Sequence, residues 1–557
     1  MKNDKLIAVD LFSGAGGLSL GFLQTDKIEI IAAVENNKYA QMTYKKNHPN
    51  VKLYGDIRDV DYGDILRRCK KMGKSNVDIV FGGPPCQGFS NANRQKTELI
   101  STNNRLVKEY TKAIEELTPR AFVLENVKTL KSRKHKFFLS SNDTEVIDLG
   151  VNVTIEKVSI GRKTSLSIEL ADFLRENSNF DDLIHYIIKD NVLFSKLCHL
   201  VRKSKELDKY LEKNRSILKK AIYHWEDLHP IYWSSNYKNI WMELKNQIIL
   251  FLNNSVYDSQ KLVNYLRDII EVQRILMRIF EVSSNRIHIH KIDCDSREMY
   301  IEVQTYGVFD YLIIKLKKLN YVINDGDMIL NAADFGAPQI RERLFLIGIK
   351  EDEGQLNSVV ELPKPIIKEG YYTVRDAISD IEEIEPSTVV TAVPLHKKNC
   401  NNKNIPLSNY LNGGVDFLYN HIITNSTETA LQRFSALKPG QNFHNLDESQ
   451  KSTYSNPNRT QNTVYLRLDY DAPAGTVLNV RKSMWVHPLK NRAISIREAA
   501  RLQTFPDNFV FCGTKNAQYQ QIGNAVPPLL GRAVAEKVLE YLGVYVETKL
   551  EAIISKR

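Results

Sequence analysis

From Leu6 to Phe22 the chain reads LIAVDL, FSGAGG, LSLGF: a short apolar run, a glycine-rich turn and a helix-like stretch. That order opens doubly wound α/β folds, in which a nucleotide-like ligand lies against the first turn. Glycines there let the backbone approach a ligand at distances where a Cβ would collide. A second strand, Ile28 to Val34, ends in Glu35, about twenty residues past the turn, where an acidic side chain can accept both hydroxyls of a ribose. A third strand is expected at Asp56-Ile57, after Leu53-Tyr54-Gly55. Alone, this opening suits a nicotinamide oxidoreductase as well as other nucleotide-cofactor enzymes.

A second loop narrows the choice. The run Val77-Asp78-Ile79-Val80-Phe81 reads as a buried strand, closed by Gly82-Gly83-Pro84-Pro85-Cys86-Gln87-Gly88-Phe89-Ser90. Cys86 thus follows the C-terminal end of a strand, where chemistry collects in open α/β sheets. The two prolines fix their own φ and restrict the residue before each, which is how a nucleophile is held. Further on, Ala121-Phe122-Val123-Leu124 is another buried strand and delivers Glu125-Asn126-Val127. A carboxylate at the tip of an apolar strand has little water around it. Its pKa should rise toward neutrality, so that Glu125 can share a proton with a substrate nitrogen.

Bulk properties bound the partners. At 557 residues the chain is too long for one ordinary core, so a large α/β domain, a smaller second domain and an insertion are expected. The net charge of +10 favours a polyanionic partner. Six cysteines are scattered without a C-x-x-C pair, which argues against zinc ribbons and a disulfide framework, and no residue is expected to ligate a metal. No apolar run reaches the ~18 residues of a membrane span, and the N-terminus lacks a signal h-region. The expectation is an intracellular, cytoplasmic protein without membrane contact.

The Pro-Cys loop resembles that of the DNA (cytosine-5)-methyltransferases of bacterial restriction-modification systems, and other stretches agree in order: DLFSGAGGLSLGF, ENV, then NAADFGAPQIRER at Asn331 to Arg343, REAARLQTFPD at Arg497 to Asp507, and QIGNAVPP at Gln521 to Pro528. The resemblance implies S-adenosylmethionine as cofactor and double-stranded DNA as substrate, with a cytosine swung out of the stack. It implies that Cys86 attacks the base, that Glu125 hydrogen-bonds it, and that Arg341 and Arg343 lie near the flipped cytosine and its phosphate. Phe12 is then expected against the adenine, Glu35 on the ribose, Asp56 and Ile57 beside the base, and Gly14 and Gly16 near the methionine end. Pro84, Asn524 and Val526 would border the cofactor. Ser90 and Gln339 would bind substrate, Ser90 within a loop that closes over DNA. If the backbone is extended, alternation puts Gln339, Arg341 and Arg343 on one face.

The fold implied is a Rossmann-like, mixed but mostly parallel methyltransferase domain with a smaller loop-rich target-recognition domain and a mainly helical insertion. Its expected boundaries are 1–130, 304–350 and 466–557 for the catalytic domain, 131–303 for the insertion and 351–465 for target recognition. The last is rich in Asn, Pro, Thr and Gly, poor material for a parallel sheet. Within the insertion, Leu262 to Phe280 has helical spacing. Lys196 to Lys220 is strongly basic, and Trp225, Trp233 and Trp241 mark a core or an interface. A monomer paired functionally with a restriction endonuclease, and associated with the nucleoid when on DNA, completes the expectation. A tRNA cytosine methyltransferase would share the chemistry; a non-catalytic relative would lack Cys86, Glu125 or the arginines.

Overall fold

The structure, a computed structural model, describes residues 5–85, 99–100, 102–133, 135–177, 179–229, 231–351, 359–390, 394–396, 405–454 and 456–555. Cys86 and Ser90 lie outside the described residues. The strands are β1 (Leu6–Leu11), β2 (Ile28–Val34), β3 (Lys52–Tyr54), β4 (Ile79–Gly82), β5 (Ala121–Asn126), β6 (Lys136–Phe138), β7 (Val153–Arg162), β8 (Ile289–Cys294), β9 (Glu298–Gly307), β10 (Tyr321–Ile323), β11 (Ile329–Asn331) and β12 (Glu342–Lys350). The chain forms two units, one comprising the residues up to the β4 loop, Leu106–Lys131 and Lys315–Arg557, the other Ser132–Ile314 with the described residues from Leu99 to Arg105.

In the first unit an eight-stranded sheet runs β10-β12-β5-β4-β1-β2-β3, with β11 also on β12. The strands from β1 to β5 are mutually parallel, whereas β12 is antiparallel to β5 and β10. β1, β4 and β5 are almost wholly buried, which their unbroken apolar runs require of a sheet covered on both faces. The helix Gly17–Leu23 packs on the late helix Pro528–Tyr541. That packing needs glycine: a Cβ on Gly21 would lie 2.5 Å from the Arg532 nitrogen.

The strand expected at Asp56-Ile57 is instead β3, Lys52–Tyr54. The Asp56 side chain accepts from the Arg58 nitrogen and caps a short 3-10 turn, Ile57–Asp59, so local capping wins over strand extension.

The second unit combines helices with a small antiparallel sheet in which β9 pairs with β6, β7 and β8. The helical periodicity around Leu262 to Phe280 extends to a helix Ser259–Ser284 whose apolar stripe is buried. The tryptophans belong to this unit's core, where Trp225 stacks on Trp241 at 4.2 Å between ring centroids. The basic stretch does not form one continuous helix. It is divided among Asn191–Arg202, Leu207–Lys213 and Arg215–Tyr223, and the buried Asn214 between the last two donates its side-chain N–H to the Tyr210 carbonyl. Among the described residues, no helix is long and apolar enough to cross a membrane.

Candidate active site

In the first unit, β1 has β2 on one side and β4 on the other, so the loops after β1 and β4 diverge at the point where the strand order reverses. The two loops start level, because Leu11 pairs with Gly82 and Gly82 with Leu124.

The first loop is a left-handed turn, with φ of +55° at Gly14 and +93° at Gly16. Glu35 at the end of β2 fixes it: Oε2 accepts from the Gly14 nitrogen at 2.9 Å and Oε1 from the Asn37 nitrogen at 2.6 Å. Burial pushes the Glu35 carboxyl up, against those N–H donors. Phe12, with φ of 60°, is half-buried at the start of the turn. Asp56 stands close by, linked to Asn36, and its bonds from Arg58 lower it to about 2; Ile57 beside it is buried. The turn faces open space, since a Cβ on Gly14 would meet nothing within 4 Å. Next to it the buried Ser13 hydroxyl has no hydrogen-bond partner. Val526 reaches this place from near the other end of the chain: its carbonyl oxygen would be 2.4 Å from a Cβ on Gly17. Asn524 is exposed at the end of its helix, its Oδ1 accepting from Gln520.

The β4 loop is held by β5. Asn126 Nδ2 donates to the Pro84 carbonyl at 2.8 Å, and a Cβ on Gly83 would lie 2.7 Å from Glu125 Oε2. Glu125 pairs with Arg343, Nε to Oε1, at 3.1 Å, and both side chains are only 14% exposed. Burial raises the Glu125 pKa; Arg343 and then Arg341 oppose the rise. The two arginines therefore do converge, on Glu125.

Their surroundings differ. Arg341 is enclosed, its guanidinium donating to the Val477 carbonyl at 2.8 Å and the Gly523 carbonyl at 3.0 Å, while its Nε has no partner. Gln339 is wholly buried: its amide donates to the Leu502 carbonyl and to Gln503 Oε1, and its oxygen accepts from the Val477 nitrogen. It braces three late segments of the chain and presents no surface to a ligand. The backbone before β12 is not a strand either. Ala332–Phe335 is a 3-10 turn that Gly336 ends at φ +91°, so the regular alternation begins only at Glu342.

Two supporting groups escape a reading of the sequence. One is the Asn126 clasp on Pro84, because nothing in ENV says where an amide points. The other is Asp10, buried within β1, whose carboxylate accepts from Ser19 Oγ, which in turn meets the Tyr44 hydroxyl at 2.8 Å. Its signal is present in LIAVDL: one acid in an otherwise apolar strand has to find a partner. Burial raises its pKa well above the ordinary value.

The family model for C-5 cytosine-specific DNA methylases matches residues 6–158 and 300–540. The chain belongs to that family. This methylase is 25% identical over 550 residues to the Type II methyltransferase M.DdeI of Desulfomicrobium norvegicum, across 96% of this chain and 88% of the relative. It is 26% identical over 553 residues to the Type II methyltransferase M.XorII of Xanthomonas oryzae pv. oryzae, across 96% of this chain and 85% of the relative. A crystal structure of a prophage-encoded E. coli protein, described as a DNA modification methyltransferase, shares the fold with a TM-score of 0.53 at 19% identity, over 97% of this chain and 100% of the other. The methylase is a DNA (cytosine-5)-methyltransferase, and its cofactor is S-adenosylmethionine.

Proposed function

We propose that this methylase is the modification enzyme of a restriction-modification system, methylating C5 of a flipped-out cytosine in one specific duplex sequence through a covalent bond from Cys86 to C6. What supports the site is the Asn126 clasp: it holds Pro84, two residues before Cys86, beside the Glu125–Arg343 pair. The restriction-modification setting rests on the Type II methyltransferases that the chain resembles along most of its length.

Cytosine C5 is a poor nucleophile, so the ring must first gain electrons. The Cys86 thiolate adds to C6, and Glu125, kept protonated by burial, hydrogen-bonds N3 as the π pair moves toward C5. When bound, S-adenosylmethionine supplies an electrophilic sulfonium methyl to C5. A base then takes the C5 proton, the bond between Cys86 and C6 breaks, and the ring's double bond returns. Arg343 orients Glu125 and keeps cationic charge beside the base, and Arg341 adds a second, buried charge behind it.

The residues present fit the cofactor. Gly14 opens onto free space, Ser13 Oγ is an unused donor, and Glu35 and Asp56 place two carboxylates where a ribose and an adenine need acceptors. Phe12, Gly16, Ile57, Pro84, Asn524 and Val526 complete the proposed cofactor site. Residues 351–465 would read base edges in the major groove, and Ser90 would contact the DNA. Gln339 would serve the substrate indirectly, by bracing. A monomer in the cytoplasm, on the nucleoid when bound, and an endonuclease cutting the same unmethylated sequence belong to this reading.

Bisulfite sequencing of DNA from cells expressing the chain tests it. One fixed methylated context is expected, and Cys86→Ala should abolish it while leaving cofactor binding intact. A Cys86→Ala protein with undiminished turnover would refute the nucleophile.

A further inference from the structure

The segment that begins at Cys86 re-enters the described chain at Leu99, and there the second unit holds it. Glu281, near the end of the helix Ser259–Ser284, uses both carboxylate oxygens on consecutive backbone groups: Oε2 accepts from the Leu99 nitrogen at 2.8 Å and Oε1 from the Ile100 nitrogen at 2.9 Å. Ile100 is buried in that unit's core, and Leu99 packs against the same cluster. One helical turn beyond Glu281, Asn285 accepts from the Arg105 guanidinium and donates its own Nδ2–H to the Glu281 carbonyl at 2.7 Å. A two-point grip on adjacent N–H groups is directional as well as strong, because a carboxylate bonded twice cannot swivel. The insertion thus carries a clamp on a stretch far from it in sequence.

We infer that Glu281 is a positioning residue for methyl transfer, acting through the backbone of Leu99 and Ile100 on the segment that starts with the nucleophile. This rests on the proposed role of Cys86. At its near end the segment is fixed by Asn126 on the Pro84 carbonyl. Glu281 fixes its far end, so the conformations open to the chain between are those of a loop with both ends tied. Releasing one end enlarges that set and lowers the fraction in which the thiol stands against C6. The residues proposed to hold S-adenosylmethionine lie elsewhere in the chain and are untouched by the clamp. The insertion then has a task in the reaction that does not require it to touch the base.

Full-length Glu281→Ala and Glu281→Gln proteins test this, with Cys86→Ala alongside, on a duplex carrying the context found by bisulfite mapping. Single-turnover methyl transfer and the rate of covalent trapping by the same duplex with 5-fluorocytosine are read together with S-adenosylmethionine affinity and Tm. Glu281→Ala should slow both rates by about tenfold or more, in line with the cost of misplacing a reacting group, with cofactor Kd within about twofold of native. Glu281→Gln keeps one acceptor and should fall between. Rates within about twofold of native in Glu281→Ala, while Cys86→Ala is inactive, would overturn the clamp and leave the nucleophile standing. Active Cys86→Ala would instead sink the proposed function on which the clamp depends. Parallel loss of cofactor binding and of cooperative unfolding in both Glu281 variants would make Glu281 merely structural and overturn the assignment.

Discussion

Arg343 Nε lies 3.1 Å from Glu125 Oε1 where β12 runs antiparallel to β5, and Phe345 pairs with Glu125 in the ladder. The sheet's one reversal of direction thus delivers a guanidinium to the acid at the tip of its neighbour. Burial raises the Glu125 pKa, and Arg343 is the larger of the two charges resisting that rise. In Arg343→Ala the carboxyl should titrate at still higher pH, which 13C NMR of glutamate-labelled protein, assigned with Glu125→Gln, will show. The sign carries to stability. A carboxyl with a raised folded pKa binds its proton more tightly when folded, so its contribution is complete below the ordinary carboxylate pKa and is lost as pH rises through the folded value. Arg343→Ala should widen that window upward; a midpoint that stays put or falls would contradict it.

Arg341 should matter chiefly to folding. It ties the Val477 and Gly523 carbonyls together in the interior, and removing its charge leaves both without their donor. Arg341→Met is expected to cost about 3 kcal/mol, from two hydrogen bonds made by a charged group. Urea denaturation measures it, and unchanged stability would remove the buried bridge from the account.

Two glycines of the first turn should separate cofactor binding from stability. A methyl at Gly14 enters open space at positive φ, so Gly14→Ala should lose about 1–2 kcal/mol to backbone strain yet weaken S-adenosylmethionine binding by a larger factor. A methyl at Gly17 runs into the Val526 carbonyl, so Gly17→Ala should lower Tm and cofactor affinity together. Calorimetric titration beside thermal unfolding distinguishes the patterns.

Glu35→Gln replaces one acceptor of a backbone N–H with a second donor, at either Gly14 or Asn37. The turn should loosen and the cofactor Kd rise by roughly tenfold or more, the cost of an unsatisfied buried group, while kcat at saturating S-adenosylmethionine stays near native. A drop confined to kcat would place Glu35 elsewhere in the reaction.

Much of this was legible in the sequence. LIAVDL and IEIIAAV become β1 and β2 with the boundaries that their apolar runs suggest, because a strand buried on both faces leaves a continuous signature. Glu35 reaches the glycine turn, and Glu125 meets the arginines. What stays hidden is side-chain direction. Alternation cannot reveal that Gln339 is spent on Leu502 and Gln503, since the 3-10 turn at Ala332–Phe335 resets the phase before β12. Asp56 reads as strand because its neighbours are apolar, but its carboxylate caps the next turn. The grip of Glu281 on Leu99 joins residues distant in sequence, and no local pattern encodes it.

Val526 seats its carbonyl against Gly17, and the helix after it covers the first helix of the chain. During synthesis, the earliest-made turn must therefore wait for nearly the last residues to leave the ribosome before its walls are complete. A nascent or prematurely terminated polypeptide stays inert toward the chromosome, and modification begins only with finished molecules.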